Sequence, residues 1–194
     1  MARPRQFDRE AVLETAKAVF WERGYEATST DDLRHAMGIG RQSLYDSFGG
    51  KRPLYLEVLQ RYNADSVGTH LRRLRTARSP MAGIRDMLLA LAEEPADKRA
   101  LGCMGVAAVC SFDSSDPDVA EIGRVSAETL QAALEEALRK AKAAGEARKS
   151  LDVSTGAHFL QATMTGMKVS AKAGTGPAML RDIALTALEA LVAV

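Results

Sequence analysis

The chain has 194 residues and a formal net charge of +1, and hydrophobic residues make up 46% of it. This length allows one compact unit or two small ones, and this composition supports a packed core and excludes a disordered chain. So small a charge lends no support to nucleic-acid binding, which must then rest on where the basic residues sit.

Aromatic residues are only 5%, and alternation of Val, Ile and Thr is nearly absent, so the expected class is all-α. Met1-Ala2-Arg3-Pro4-Arg5-Gln6 is polar, without the apolar run of a secretory signal. No apolar run approaches the roughly 20 residues of a membrane-spanning helix, so no membrane partner is expected. Two cysteines without such a signal imply reduced thiols and a cytoplasmic protein.

Arg3 and Arg5 form a short basic arm, read either as a solvated terminus or as a phosphate contact. Asp8 is a good N-cap for a first helix over 9–23, in which Val12, Leu13, Ala16, Val19 and Phe20 recur at the spacing of one buried stripe. Gly24 ends it, because glycine accepts the left-handed conformation. Ser29 or Thr30 can cap a second helix, with Asp31 and Asp32 in the turn where the dipole favours negative charge and Leu33, Ala36 and Met37 inward. Gly38-Ile39-Gly40 is a tight corner plugged by an apolar side chain. A third helix over 41–48 follows, with Leu44 and Phe48 inward and Arg41, Gln42, Ser43, Tyr45 and Asp46 on or near an exposed face, until Gly49-Gly50 breaks it. A short polar-faced helix after such a corner is shaped to enter a DNA groove.

Lys51-Arg52-Pro53 opens a fourth helix, with Leu54, Leu56, Val58, Leu59 and Tyr62 as apolar surface into the high 60s; Arg72, Arg73, Arg75 and Arg78 follow as a solvated run. Ser79-Pro80 starts a fifth helix lined by Met81, Ile84, Met87, Leu88 and Leu91 and stopped at Glu93-Glu94-Pro95. Leu101 to Phe112 is small and apolar and reads as a fully buried helix. After a polar break at 113–116, Asp116-Pro117 starts a long helix to about Ala144, roughly 28 residues or 42 Å, with Val119, Ile122, Leu130, Leu134 and Leu138 inward. A loop over 148–152 leads to a helix over 155–173 that Ser154 can cap, and Gly174-Thr175-Gly176-Pro177 separates it from a last apolar helix over 178–192. About nine helices result, divided near Gly50 into an N-terminal part, 1–50, and a C-terminal part, 51–194.

The quoted residues carry a resemblance. Ala18-Val19-Phe20 with Gly24-Tyr25, Thr28-Ser29, Ala36-Met37-Gly38-Ile39, Ser43-Leu44-Tyr45, Phe48, and Lys51 before Leu54 together resemble the tetracycline-repressor (TetR/AcrR) family of bacterial transcription regulators. The combination over about 50 residues is specific, while the rest of the chain matches in architecture. The resemblance implies an N-terminal three-helix helix-turn-helix DNA-binding domain and a C-terminal helical domain that binds a small molecule and forms a homodimer. It implies phosphate contacts from Ser29 or Thr30, Ser43 and Lys51, and a groove-facing set of Arg41, Gln42, Tyr45 and Asp46. Arg34, where alanine is common in the family, Gly40, in place of a capping Ser or Thr, and Asp46, where a basic or aromatic residue is commoner, depart from the pattern.

The chemistry agrees with these assignments. The Arg41 fork can pair guanine O6 and N7, Gln42 can pair adenine, and Asp46 repels phosphate but can accept from cytosine N4. Tyr45 can lie on a phosphate or pack against the fourth helix. The two closing helices can form a four-helix interface between two copies, which a near-palindromic operator requires. Met87, Met104, Phe112, Phe159, Met164 and Met167 are adaptable apolar side chains that suit a pocket wall or plain core. The expected function is a regulator, a repressor released from its operator by that ligand.

Cys103 and Cys110, seven apart on one expected helix, stand about 10 Å apart by helical rise, too far for a disulfide, and read as small buried hydrophobes. His35, His70 and His158 are scattered without metal-ligand spacing, and the chain has no phosphate-cradling glycine loop and no serine-nucleophile signature. No enzyme activity, cofactor or metal is expected. The alternative is a helical small-molecule carrier or a thiol-based redox sensor with weak or no DNA binding.

Overall fold

The structure, a computed structural model, describes residues 7–112 and 116–193. The basic arm of Arg3 and Arg5 and most of the polar break, 113–115, lie outside these residues. The described residues form α1 (Arg9–Arg23), α2 (Thr30–Met37), α3 (Arg41–Phe48), α4 (Lys51–Thr76), α5 (Pro80–Ala92), α6 (Ala96–Leu101), α7 (Met104–Phe112), α8 (Pro117–Ala143), α9 (Val153–Lys172) and α10 (Pro177–Glu189). No strand occurs among them; a single antiparallel bridge joins Ala147 to Val192. The nine expected helices are all present, and the short α6 is additional, started by Pro95 and stopped by Gly102 at φ 70°.

Two apolar cores divide the chain. The first gathers Val12, Leu13, Ala16 and Phe20 of α1, Leu33 and Met37 of α2, Ile39 of the corner, and Leu44 and Phe48 of α3. It also takes Leu54, Tyr55, Val58 and Leu59 from α4, Met104 and Ala108 from α7, and Val119 from α8. The second is built from α5, α8, α9 and α10, including Ile84, Leu88, Leu134, Leu138, Leu160, Met167, Leu180 and Leu188.

Three expectations are corrected. The fourth helix does not end in the high 60s: no Pro interrupts it before Pro80, and it runs on through the buried His70 to Thr76. Arg73 and Arg75 therefore sit in its last turn, where positive charge opposes the dipole favourably. The helix expected over 101–112 is not fully buried. It begins only at Met104, buries Met104 and Ala108, and leaves Val109 56% exposed, because it packs on one side against α4 and α8. On α2, Ala36 is exposed and Ile39 completes the apolar face in its place. In addition, the cap of α9 is Asp152, which accepts from the Thr155 N–H at 2.8 Å, rather than Ser154.

α1 and the start of α4 are tied to the segment that runs from Gly102 to the start of α8. The Arg52 guanidinium donates to both carboxylate oxygens of Asp116 at 2.8 and 3.0 Å and to Asp118 at 2.8 Å. Trp21 Nε1 donates to the Gly102 carbonyl at 3.3 Å. Phe112 closes an aromatic cluster, with ring centroids 5.0 Å from Tyr25 and 5.3 Å from Tyr55. Arg52 holds the Asp116 carboxyl at about 2, below its ordinary 3.8. A depressed carboxylate stabilises the fold above its unfolded value, and that contribution is lost as pH falls toward about 2. Asp116→Asn retains an oxygen for the Val119 N–H that Asp116 caps. The variant's melting temperature should therefore fall less steeply than the parent's between about pH 4 and 2. Parallel melting curves across that range would show that the pair contributes nothing.

Candidate nucleic-acid interface

The helix-turn-helix is assembled by local signals. The Ser29 hydroxyl accepts from the Asp32 N–H at 3.0 Å, and the Ser29 N–H donates to Asp32 Oδ2 at 2.8 Å, a reciprocal capping box. The Ser29 hydroxyl also lies 2.6 Å from Asp32 Oδ2 and donates to it, and this bond, followed by that of the Ser29 N–H, holds the Asp32 carboxyl below its ordinary range. Gly38 turns the corner at φ 64°, a left-handed conformation that side chains with a Cβ rarely adopt. Ile39 then enters the core, and Gly40 starts α3 with no side chain competing for its first N–H groups. Leu44, fully buried, and Phe48 anchor α3 from below. Phe48 lies 6.4 Å from the Phe7 ring, and the Arg9 guanidinium stands 4.9 Å over it.

The opposite side of α3 is solvent-facing. Arg41, Gln42, Tyr45 and Asp46 are exposed together, with Ser43 half-buried beside them. Gln42 Nε2 donates to Asp46 Oδ1 at 2.7 Å, so these two polar groups are paired along the helix. This pairing draws the carboxylate toward an amide and away from acting as a lone anion. The Arg41 guanidinium stands 6.0 Å from the Tyr45 ring centroid. Tyr45 packs against the α3–α4 junction: a Cβ on Gly50 would meet its ring at 3.3 Å, and Gly50 has φ 123°. Lys51, half-buried at the start of α4, holds its Nζ 4.1 Å over the Tyr25 ring. Ser29 and Thr30 lie at the start of α2, exposed and half-buried respectively. Arg34 is paired with Asp31 on its own helix at 2.6 Å, and His35 is exposed.

The model for bacterial regulatory proteins of the tetR family matches residues 12–58, and that for the tetracyclin repressor-like C-terminal domain matches residues 81–187. The chain belongs to the TetR family. It is 32% identical over 189 residues to the HTH-type transcriptional repressor ComR of Escherichia coli (strain K12), covering 96% of this chain and 90% of that protein. It is likewise 32% identical over 184 residues to the HTH-type transcriptional regulator YezE of Bacillus subtilis (strain 168), covering 94% and 95%. Among solved structures, a cysteine mutant of the TetR family regulator CifR bound to 26-base-pair operator DNA superposes with a TM-score of 0.83. Its identity is 28%, and the match covers 98% of this chain and 100% of that one. This chain is thus a TetR-family transcriptional regulator whose DNA-binding motif is α2, the corner and α3.

In this TetR-family chain a cavity of about 430 Å³ opens beside the second core, between α4, α7, α8 and α9. Val67, Leu91, Val106, Leu130 and Met164 give it an apolar wall, and Asn63, His70, Gln161 and Lys168 add polar groups. Of the six residues expected in a pocket, Met164 lines this cavity and five stand elsewhere. Met87 and Met167 are packed inside the second core and Met104 inside the first, because their helices turn these positions toward neighbouring helices. Phe112 belongs to the aromatic cluster with Tyr25 and Tyr55. Phe159 is 40% exposed on the outer side of α9. Cys103 precedes α7 and Cys110 lies within it; both are free, and Cys110 is exposed rather than buried. Both border the cavity.

The apolar residues of α4 pointed no further than Tyr62, so the sequence left Asn63 unmarked and offered His70 only as a scattered histidine. Their spacing was the available signal: Asn63, Val67 and His70 stand four and three apart, one continuous helical stripe. Among the described residues no helix is long and apolar enough to cross a membrane, and no group of three or more His, Cys, Asp and Glu side chains could hold a metal ion.

Proposed function

We propose that the protein is a cytoplasmic, homodimeric repressor that leaves its operator when a small molecule enters the cavity of its C-terminal part. The observation that carries the DNA half is the exposed row Arg41, Gln42, Tyr45 and Asp46 on a helix held from below by Leu44 and Phe48. Base edges are read by such a row, with Ser29, Thr30, Ser43 and Lys51 fixing register on phosphates. Names of relatives support it: ComR is a repressor, and CifR is seen on operator DNA. The division falls near Gly50, with α4 serving both sides, since it contributes to the first core and lines the cavity.

The release step rests on that shared helix. α7 and α8 border the cavity and also send Met104, Ala108 and Val119 into the first core. A ligand that favours one arrangement of these helices shifts the population toward one spacing of the two recognition helices. Dimerisation fits the outer side of α9, where Thr155, Phe159, Ala162, Gly166 and Ala173 form an exposed stripe without charge.

A gel-shift assay with the promoter region beside the protein's own gene tests the reading. Retardation is expected, weakened by salt through loss of phosphate contacts. Arg41→Ala should lower affinity by about 1–3 kcal/mol, roughly 5- to 150-fold, and relax preference at one base position. Unchanged affinity in Arg41→Ala would remove Arg41 from base reading, and no retardation by the parent would favour a helical carrier.

A further inference from the structure

We propose that the cavity takes an uncharged, elongated, mainly apolar molecule whose two hydrogen-bonding groups, about 10 Å apart, are read by Asn63 and His70 of α4. This deepens the ligand-release reading and rests on it.

The wall explains the absence of charge in the ligand. Lys168 is the cationic side chain bordering the cavity, and its Nζ is committed to both carboxylate oxygens of Glu94 at 2.5 and 2.6 Å. An anion entering the cavity would have to compete with that carboxylate. No Asp or Glu borders the cavity among the described residues, so an ammonium would lose its water without gaining a counter-charge. Burial, together with Arg73 and Lys168 nearby, pushes the His70 imidazole down to about 4, so it stands neutral at physiological pH.

Two polar side chains in this wall are nine-tenths buried. Asn63 is 8% exposed and His70 is 7% exposed. His70 Nδ1 has no hydrogen-bond partner within the described residues. A buried polar group left unpartnered lowers stability, so a ligand that reached this nitrogen, which is closed to solvent here, by a small turn of the ring would relieve that cost. Asn63 is brought hard against α7: its Oδ1 occupies the space that a Cβ on Gly105 would reach at 2.6 Å. Glycine at that position lets the amide sit at the cavity edge. Between the two polar groups lies Val67, and Leu91, Leu130 and Met164 line the cavity elsewhere, so the middle of the ligand meets hydrocarbon.

A matched set of eight-carbon probes tests the chemistry: 1,8-octanediol, suberate and 1,8-diaminooctane, titrated into the full-length protein by calorimetry up to millimolar concentration. The diol is expected to bind saturably and at least tenfold tighter than either charged probe. Asn63→Leu and His70→Phe, each close in shape to the parent residue, should each weaken the diol at least tenfold. Their ligand-free melting temperatures should stay level or rise, because each removes a buried polar group without leaving a partner unpaired. No binding of the diol, tighter binding of a charged probe, or undiminished binding by both variants overturns the proposal. A variant that melts well below the parent or fails to fold marks a structural role for that side chain and also overturns it. Operator release, read separately by gel shift, keeps the two readings apart. Diol binding without release supports the ligand chemistry while sinking the release mechanism. Release by suberate or diaminooctane alone supports release while sinking the ligand chemistry.

Discussion

Leu44→Ala is expected to destabilise the protein by about 2–5 kcal/mol and to abolish operator binding. Leu44 is fully buried, and with Phe48 it is the buried part of a helix of eight residues. A helix so short is marginal on its own in water, where stability generally requires about 12–15 residues. α3 also lacks the help other helices receive: Gly40 supplies no side-chain cap, its first turn holds no acid and its last turn no base. Its position therefore depends on the apolar contact beneath it. Truncating Leu44 removes that contact and leaves a cavity between α3 and the first core, so the polar row above loses its fixed orientation. Urea titration at constant protein concentration measures the first effect and gel shift the second. Full stability in the variant would mean that Phe48 and the Gly49–Gly50 turn suffice to hold the helix.

Phe159→Glu is expected to make the protein monomeric at micromolar concentration and to lower operator affinity by roughly 10²–10⁴-fold, the gain that linking two half-site contacts provides. Phe159 is 40% exposed, in a row with Ala162, Gly166 and Ala173 that bears no charge. A Cβ on Gly166 would meet nothing within 4 Å, so the row leaves room for close approach of a second copy. In a two-fold interface the same patch meets itself, and a carboxylate there would face its own copy across a dry contact. Because the side chain is exposed in the single chain, its replacement leaves the folded subunit intact. Light scattering coupled to size exclusion separates the outcomes, with circular dichroism confirming the fold. A dimer that persists would place the interface on another surface.

Local signals in the chain were strong wherever the structure depends on short-range geometry. Asp8, Ser29, Asp116 and the glycines at 24, 38 and 49 mark helix ends through hydrogen bonds and φ values that act within a few residues. Leu44 and Phe48 follow from the helical period, and Arg41, Gln42, Tyr45 and Asp46 fall on the remaining face by the same count. Family membership was legible from the same stretch.

The cavity was not legible in this way. Met87, Met104 and Met167 have the flexible chemistry of pocket residues, yet whether a methionine faces a void or a neighbouring helix depends on how two helices cross. The same uncertainty hid the polar contribution of α4. Asn63 and His70 look like solvent-facing positions until α7, α8 and α9 pack around them, and the Gln42–Asp46 pairing depends on rotamers that spacing alone does not choose. Helix ends, the inward stripe of each helix and the groove-reading row thus belong to short-range sequence order. The cavity, the polar groups in its wall and the Arg52 link to Asp116 arise from contacts between residues up to about a hundred positions apart, through packing that no periodicity encodes.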